Sequence, residues 1–196
     1  IGHAIHLMRR IPERHAAARR GQWLKDSRGS NEIRGKTLGI IGYGKIGMQT
    51  GLLAEAIGMR VVYHDIEARL PLGNATPAAT LTALLSEADV VTLHVPQTER
   101  TRLLIDAERL AQMKPDAVLI NLARGHAVDL DALHDALSTH RLRGGGDRRL
   151  SHRADVERCG LRVAAAGARQ RDPDTARGRL HRGGPAQPGR RGLREA

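Results

Sequence analysis

Apolar residues fall along this chain in two alternating textures. Four short runs are apolar at nearly every position: Thr37 to Ile41 (TLGII), Arg60 to His64 (RVVYH), Asp89 to Val95 (DVVTLHV) and Ala117 to Asn121 (AVLIN). Between them apolar residues recur every three or four positions, over Ile46 to Ala56, at Leu81, Leu84 and Leu85 behind a capping Thr80, over Asp106 to Met113, and over Leu130 to Leu137. The continuous runs predict strands covered on both faces, and the periodic stretches predict amphipathic helices. Strands alternating with helices predict an α/β fold, a Rossmann-type doubly wound parallel sheet. Ile1, Ala4, Ile5, Met8 and Ile11 predict a lead-in helix that Pro12 kinks or ends, followed by a polar, basic stretch from Glu13 to Arg34 with a single Trp23, in which Asp26 to Asn31 reads as loop. After Asp65, the segment to Ala79, with Pro71, Gly73, Asn74 and Pro77, reads as loop. Four strands make an incomplete version of the usual 3-2-1-4-5-6 sheet. They are expected to fill positions one to four and to leave Ala117 to Asn121 at an edge, apolar on both faces. Such an edge is a template for aggregation, so poor stability is expected.

The first strand runs straight into Gly42, Gly44 and Gly47, at G-x-G-x-x-G spacing, and a helix follows. That spacing serves a tight turn at Gly42, close approach of a pyrophosphate at Gly44, and close packing of helix on strand at Gly47. The helix start adds free N–H groups and a positive dipole end. Asp65 closes the second strand 18 residues after Gly47, where an acid suits the hydroxyl pair of a ribose. Read as an unpaired carboxylate, it would repel a 2′-phosphate and favour NAD over NADP; Arg60 and Arg69 nearby work against that preference. In open parallel sheets ligands bind beyond the carboxyl ends of the strands. Those ends carry Gly42 to Gly47, Asp65, His94 to Pro96 and Asn121 to Gly125.

Charge changes the picture for the last quarter. Asp147 to Ala196 holds 13 Arg, no Lys and six acidic residues, which accounts for +7 of the chain's +11, and has no Ile, Phe, Tyr, Trp or Met. Such a stretch buries too little apolar surface to offset its ordering entropy, and a disordered basic tail is expected over 146–196. Clustered arginines can bind nucleic acid, but base-stacking aromatics are missing, so no nucleic-acid partner is expected. Cys159 is the single cysteine, which excludes an internal disulfide. No apolar run is long enough to span a membrane, and a cytoplasmic protein without a membrane partner is expected. His126, His134 and His140 read as solvated loop or helix residues. They lack metal-ligand spacing, and no metal is expected. The chain opens mid-pattern at Ile1, which reads as a cut end.

Four separated stretches carry a family resemblance: Arg34 to Gly47 (RGKTLGIIGYGKIG), Leu72 to Ala75 (LGNA), Asp89 to Pro96 (DVVTLHVP) and Met113 to Asp129 (MKPDAVLINLARGHAVD). Residues 1–145 resemble the NAD-dependent D-2-hydroxyacid dehydrogenases, most closely their bacterial branch that oxidises 3-phosphoglycerate in serine biosynthesis. The resemblance implies a lead-in helix and linker at 1–36 from a missing substrate domain, an NAD-binding Rossmann domain at 37–145, and a basic tail at 146–196. It places Gly42, Gly44, Lys45, Ile46 and Gly47 at the cofactor pyrophosphate and Asp65 at the adenosine ribose. Val95 and Pro96 then line the adenine side, and Leu122 and Ala123 lie beside the nicotinamide. Arg124 takes the catalytic, substrate-binding role, for which a guanidinium fork suits a carboxylate. A small 2-hydroxy acid substrate and a homo-oligomeric assembly are implied with it.

The family continues with a strand ending in Asp-Val-Phe-Pro-x-Glu-Pro and another ending in Thr-Pro-His-x-Gly-Gly-Ser-Thr, and neither stands here. A frame change accounts for both absences. Permissible codons for Pro173 to Arg182, CCT GAC ACC GCA CGT GGG CGG CTC CAC CGA, read one nucleotide later give Leu-Thr-Pro-His-Val-Gly-Gly-Ser-Thr. The same shift on Gly146 to Leu150, as GGC GAT CGA CGT CTT, gives Ala-Ile-Asp-Val and a codon that starts TT. The tail is therefore expected to be out of frame. Without the family's catalytic histidine and glutamate the polypeptide is expected to be an inactive dehydrogenase fragment; the alternative is a non-catalytic NAD-binding or interaction module.

Overall fold

The computed structural model describes residues 1–147. The expected tail, apart from its first two residues, lies outside the described residues. Six strands form one parallel sheet: β1 (Thr37–Ile41), β2 (Arg60–His64), β3 (Thr76–Pro77), β4 (Val90–Leu93), β5 (Val118–Asn121) and β6 (Gly144–Asp147), in the order β3-β2-β1-β4-β5-β6. Ile40 pairs with Tyr63 on one side and Thr92 on the other, and Thr92 continues to Ile120. Every residue of β1, β4 and β5 is buried, as strands covered on both faces must be.

Among the described residues six α-helices supply the cover: α1 (Gly2–Met8), α2 (Ile11–Arg19), α3 (Lys45–Ala56), α4 (Leu81–Glu87), α5 (Ala107–Gln112) and α6 (Leu130–Ser138). Alternation along the strands sorts the core into two layers. Ala4, Leu7 and Met8 of α1 and Ala54 of α3 pack with Leu38, Ile40, Val90, Val118 and Ile120. Leu84 and Leu85 of α4, Leu110 of α5 and Leu133 of α6 pack with Ile41, Val91, Leu93 and Leu119 on the other face. Polar side chains start the helices as the sequence implies: Thr80 Oγ1 accepts from Ala83 N, Asp106 from Arg109 N, and Asp129 from Asp131 N and Ala132 N.

Three elements depart from the sequence reading. Pro12 neither kinks nor ends the first helix. The break falls at Arg10, whose φ of 54° is left-handed, and Pro12 sits in the first turn of α2, where its missing N–H costs nothing. Thr76 and Pro77 pair with Val62 and Tyr63 as a two-residue edge strand, an outer position that tolerates a residue without an N–H. The third correction bears on stability. β5 is not an edge, because Gly144 to Asp147 pair with Val118 to Asn121 along its full length. The four predicted strands hold the central places, with β3 and β6 outside them, so exposure of β5 no longer argues for aggregation.

Candidate functional site

The carboxyl ends of β1, β2, β4 and β5 build the candidate site. At the end of β1 the chain turns at Gly42, whose φ is +89°. A Cβ there would stand 2.8 Å from His94 O, and a Cβ on Gly47 would stand 2.3 Å from Gly42 O. Both positions require glycine, one through backbone conformation and both through backbone approach. Gly44 differs, since an added Cβ would meet nothing within 4 Å. It precedes α3 as the capping residue, no side chain caps that helix, and Lys45 beside it is exposed. The result is open space above a helix start with free N–H donors, a cradle of the right chemistry for a phosphate.

Asp65 is tied to this turn. Tyr43 N–H donates to its Oδ2 at 2.7 Å, Glu67 N–H donates to Oδ1 at 3.0 Å, and Arg69 Nε stands 3.8 Å from Oδ2. Its side chain is 10% exposed. The expectation of an unpaired carboxylate is therefore corrected: a buried charge is held by donors, as burial demands. Arg60 is corrected as well. As the first residue of β2 it lies at the opposite end of the strand from Asp65, where Nη2 donates to Thr37 Oγ1 at 2.7 Å and to Glu87 at 3.4 Å.

A cleft of about 530 Å³ opens between the starts of α1 and α3, floored by Leu38, Thr92 and Ile120. Ile46, Val95, Pro96, Leu122, Ala123 and Arg124 all line it. Gly42, Gly44, Lys45, Gly47 and Asp65 stand outside its lining and join it through the Gly42–His94 contact and through α3. Ile46 is 69% exposed, an apolar residue at the mouth of a polar turn. Leu122 is also exposed.

Arg124 reaches the cleft on a short turn that Asn121 shapes. Asn121 Nδ2 donates to Arg124 O at 2.9 Å, and its Oδ1 accepts from Ala123 N at 3.2 Å. The Arg124 guanidinium is exposed, with Nη1 donating to Ala123 O at 2.8 Å. Sequence reasoning placed Asn121 at a site-forming strand end without giving it a role, although a buried amide closing an apolar strand was the signal. His94 was likewise named only as part of a strand end. Its Nε2 lies 3.2 Å from Thr92 Oγ1 inside the cleft, and burial holds its pKa below the usual histidine value. His126 is half-buried rather than solvated, because its ring bonds to Thr101 Oγ1 at 3.2 Å, while His140 is exposed. Among the described residues no group of three or more His, Cys, Asp or Glu could hold a metal ion, and no helix is long and apolar enough to cross a membrane.

The sequence model of the D-isomer specific 2-hydroxyacid dehydrogenase NAD-binding domain matches residues 1–147. The D-3-phosphoglycerate dehydrogenases of Haemophilus influenzae and Escherichia coli K12 are each 51% identical over 144 residues, 74% of this chain and 35% of theirs. The chain thus spans about a third of the length of those relatives. Among solved structures, D-lactate dehydrogenase with NAD+ from Lactobacillus jensenii superposes with a TM-score of 0.74 at 32% identity, covering 83% of this chain and 55% of that one. NAD-dependent formate dehydrogenase from Staphylococcus aureus, in complex with NAD, gives 0.76 at 27% identity, covering 83% of this chain and 51% of that one.

Proposed function

The chain belongs to the D-isomer-specific 2-hydroxyacid dehydrogenases, matching their NAD-binding domain, and from that membership we propose that it serves as the cofactor half of a cytoplasmic, homo-oligomeric 3-phosphoglycerate dehydrogenase. The observation that carries this reading is the 2.7 Å bond from Tyr43 N–H to Asp65, which fixes an acid beside the glycine turn. In this reading Gly42, Gly44 and Gly47 with the N–H groups of Lys45 and Ile46 cradle the pyrophosphate, and Asp65 accepts from the ribose hydroxyls. Val95 and Pro96 face the adenine side. Leu122 and Ala123 exclude water at the nicotinamide end, and Arg124 grips the carboxylate of a 2-hydroxy acid. Bound NAD supplies the hydride acceptor for C2 of that substrate.

The finer proposal is that this polypeptide does not turn over. Residues 148–196, outside the described residues, contain neither the Thr-Pro-His run nor the glutamate motif of the family, and we attribute their arginine-rich text to a frame change. Loss of the proton-transferring base removes about 10² to 10⁴ in rate. One paired experiment tests this: the encoding DNA is sequenced around Gly144, and the protein is assayed for NAD reduction with 3-phosphoglycerate. A Thr-Pro-His-x-Gly-Gly run in a shifted frame together with no turnover is expected. Turnover at ordinary dehydrogenase rates, or no such run in either other frame, contradicts it.

A further inference from the structure

We propose that His126 is a positioning residue that, through the hydroxyl of Thr101, locks the turn carrying Arg124 to the cleft-lining segment after β4, and so holds the cleft in the shape that takes a dinucleotide. The proposal rests on the reading of that cleft as the NAD site. Val95, Pro96 and Arg124 line it, whereas His126 and Thr101 stand outside the lining. The lining segment is weakly held. Residues 96–100 are all exposed, so apolar packing does not fix them, and polar bonds must. The backbone bonds that join this loop to the Arg124 side act further along the chain. Leu103 N–H donates to His126 O at 2.8 Å, Ile105 N–H to Ala127 O at 2.9 Å, and Asp129 N–H to Ile105 O at 2.9 Å.

Thr101 Oγ1 supplies the link nearer the cleft. It lies 2.8 Å from Pro96 O, 2.9 Å from Thr98 O, 3.0 Å from Thr98 N, and 3.2 Å from both Thr98 Oγ1 and His126 Nε2. A hydroxyl has one hydrogen and two lone pairs. Its hydrogen goes to a carbonyl, since Pro96 O and Thr98 O can only accept, and its lone pairs take Thr98 N–H and one further donor. The Thr98 side chain is exposed and can bond water, so His126 is the donor that the fold itself supplies. Its ring must then carry a hydrogen on Nε2. On the other side His126 is the middle residue of the 3₁₀ turn Gly125–Ala127, and Ala127 N–H donates to Arg124 O at 3.2 Å. One chain of bonds thus runs from the Arg124 turn through His126 and Thr101 to Pro96 O, although Thr101 and His126 are 25 residues apart in sequence.

The test is calorimetric titration of the full chain with NAD, using H126A, H126Q, T101V and the H126A/T101V pair, each accompanied by thermal unfolding. Glutamine brings an amide N–H to the reach of Nε2 and keeps the donor. H126A is expected to weaken NAD binding about fivefold, the worth of one hydrogen bond, and H126Q to recover most of that loss. T101V should weaken it at least as much, and the pair no more than T101V alone, because both substitutions break one chain of bonds. Nitrogen NMR of the neutral His126 ring should place its hydrogen on Nε2. NAD affinity unmoved in H126A, even with a lowered melting temperature, marks a bond that serves the fold alone and overturns the proposal. Additive losses in the pair, or a hydrogen on Nδ1, overturn it as well. Should T101V fail to fold, the contrast between H126A and H126Q decides by itself. A folded wild type that does not bind NAD overturns the cofactor reading and the proposal with it, and the wild-type titration reports that failure separately.

Discussion

Gly42 and Gly44 divide the labour of folding and binding between them. Alanine at Gly42 must adopt a φ of +89° with its Cβ 2.8 Å from a backbone oxygen, so G42A is expected to destabilise the domain by about 1–3 kcal/mol, measured by thermal or urea unfolding. An unchanged midpoint would contradict the geometry. His94 belongs to the same scale. Its pKa in the folded chain lies below the histidine value, so the unfolded chain binds the proton more readily and stability falls as pH drops below about 6.5. Unfolding of the wild type and H94Q between pH 7.5 and 5.5 should show a steeper loss in the wild type; equal slopes would refute it. Sequence pattern named the glycines and Asp65 because spacing alone exposes them. It could not show that Asp65 has partners, since Tyr43 N–H is a backbone donor brought there by the turn. The role of Asn121, named only as a strand end, escaped for a related reason: its amide serves the backbone of a turn that no periodicity describes.

Elements were legible where side chains write a pattern. β1, β2, β4 and β5 carry continuous apolar runs, and α3 to α6 carry periodic ones. The structure moves their ends by only one or two residues, as when Asp106 becomes the cap of α5 instead of its first residue. β6 was invisible because Gly144, Gly145 and Gly146 have no side chains for a hydrophobic pattern to register. α2 was invisible because Ala16, Ala17 and Ala18 make a helix without an apolar stripe, behind a proline that read as a kink or a stop. β6 has a measurable consequence. Paired with it on one side and β4 on the other, the amides of Val118 to Asn121 should exchange hydrogen as slowly as those of Val90 to Leu93. Exchange through local opening, fast in β5 and slow in β4, would return β5 to an edge.

At the scale of the whole molecule, residues 1–147 hold a complete six-stranded parallel sheet with helices on both faces. The resemblance read from four motifs and the match over residues 1–147 agree on the family, because glycine turns, strand ends and Arg124 are local features that a sequence states directly. The chain spans about a third of the length of the D-3-phosphoglycerate dehydrogenases it matches. The central claim is that the open face of Gly44 receives a dinucleotide, and calorimetric titration of the full chain and its G44V variant with NAD tests it most directly. An added Cβ meets nothing within 4 Å at that position, so both proteins should unfold at similar temperature. The account predicts saturable one-to-one NAD binding by the wild type that weakens at least tenfold in G44V, whereas a folded wild type that does not bind NAD, or a G44V chain that binds it equally well, would contradict it.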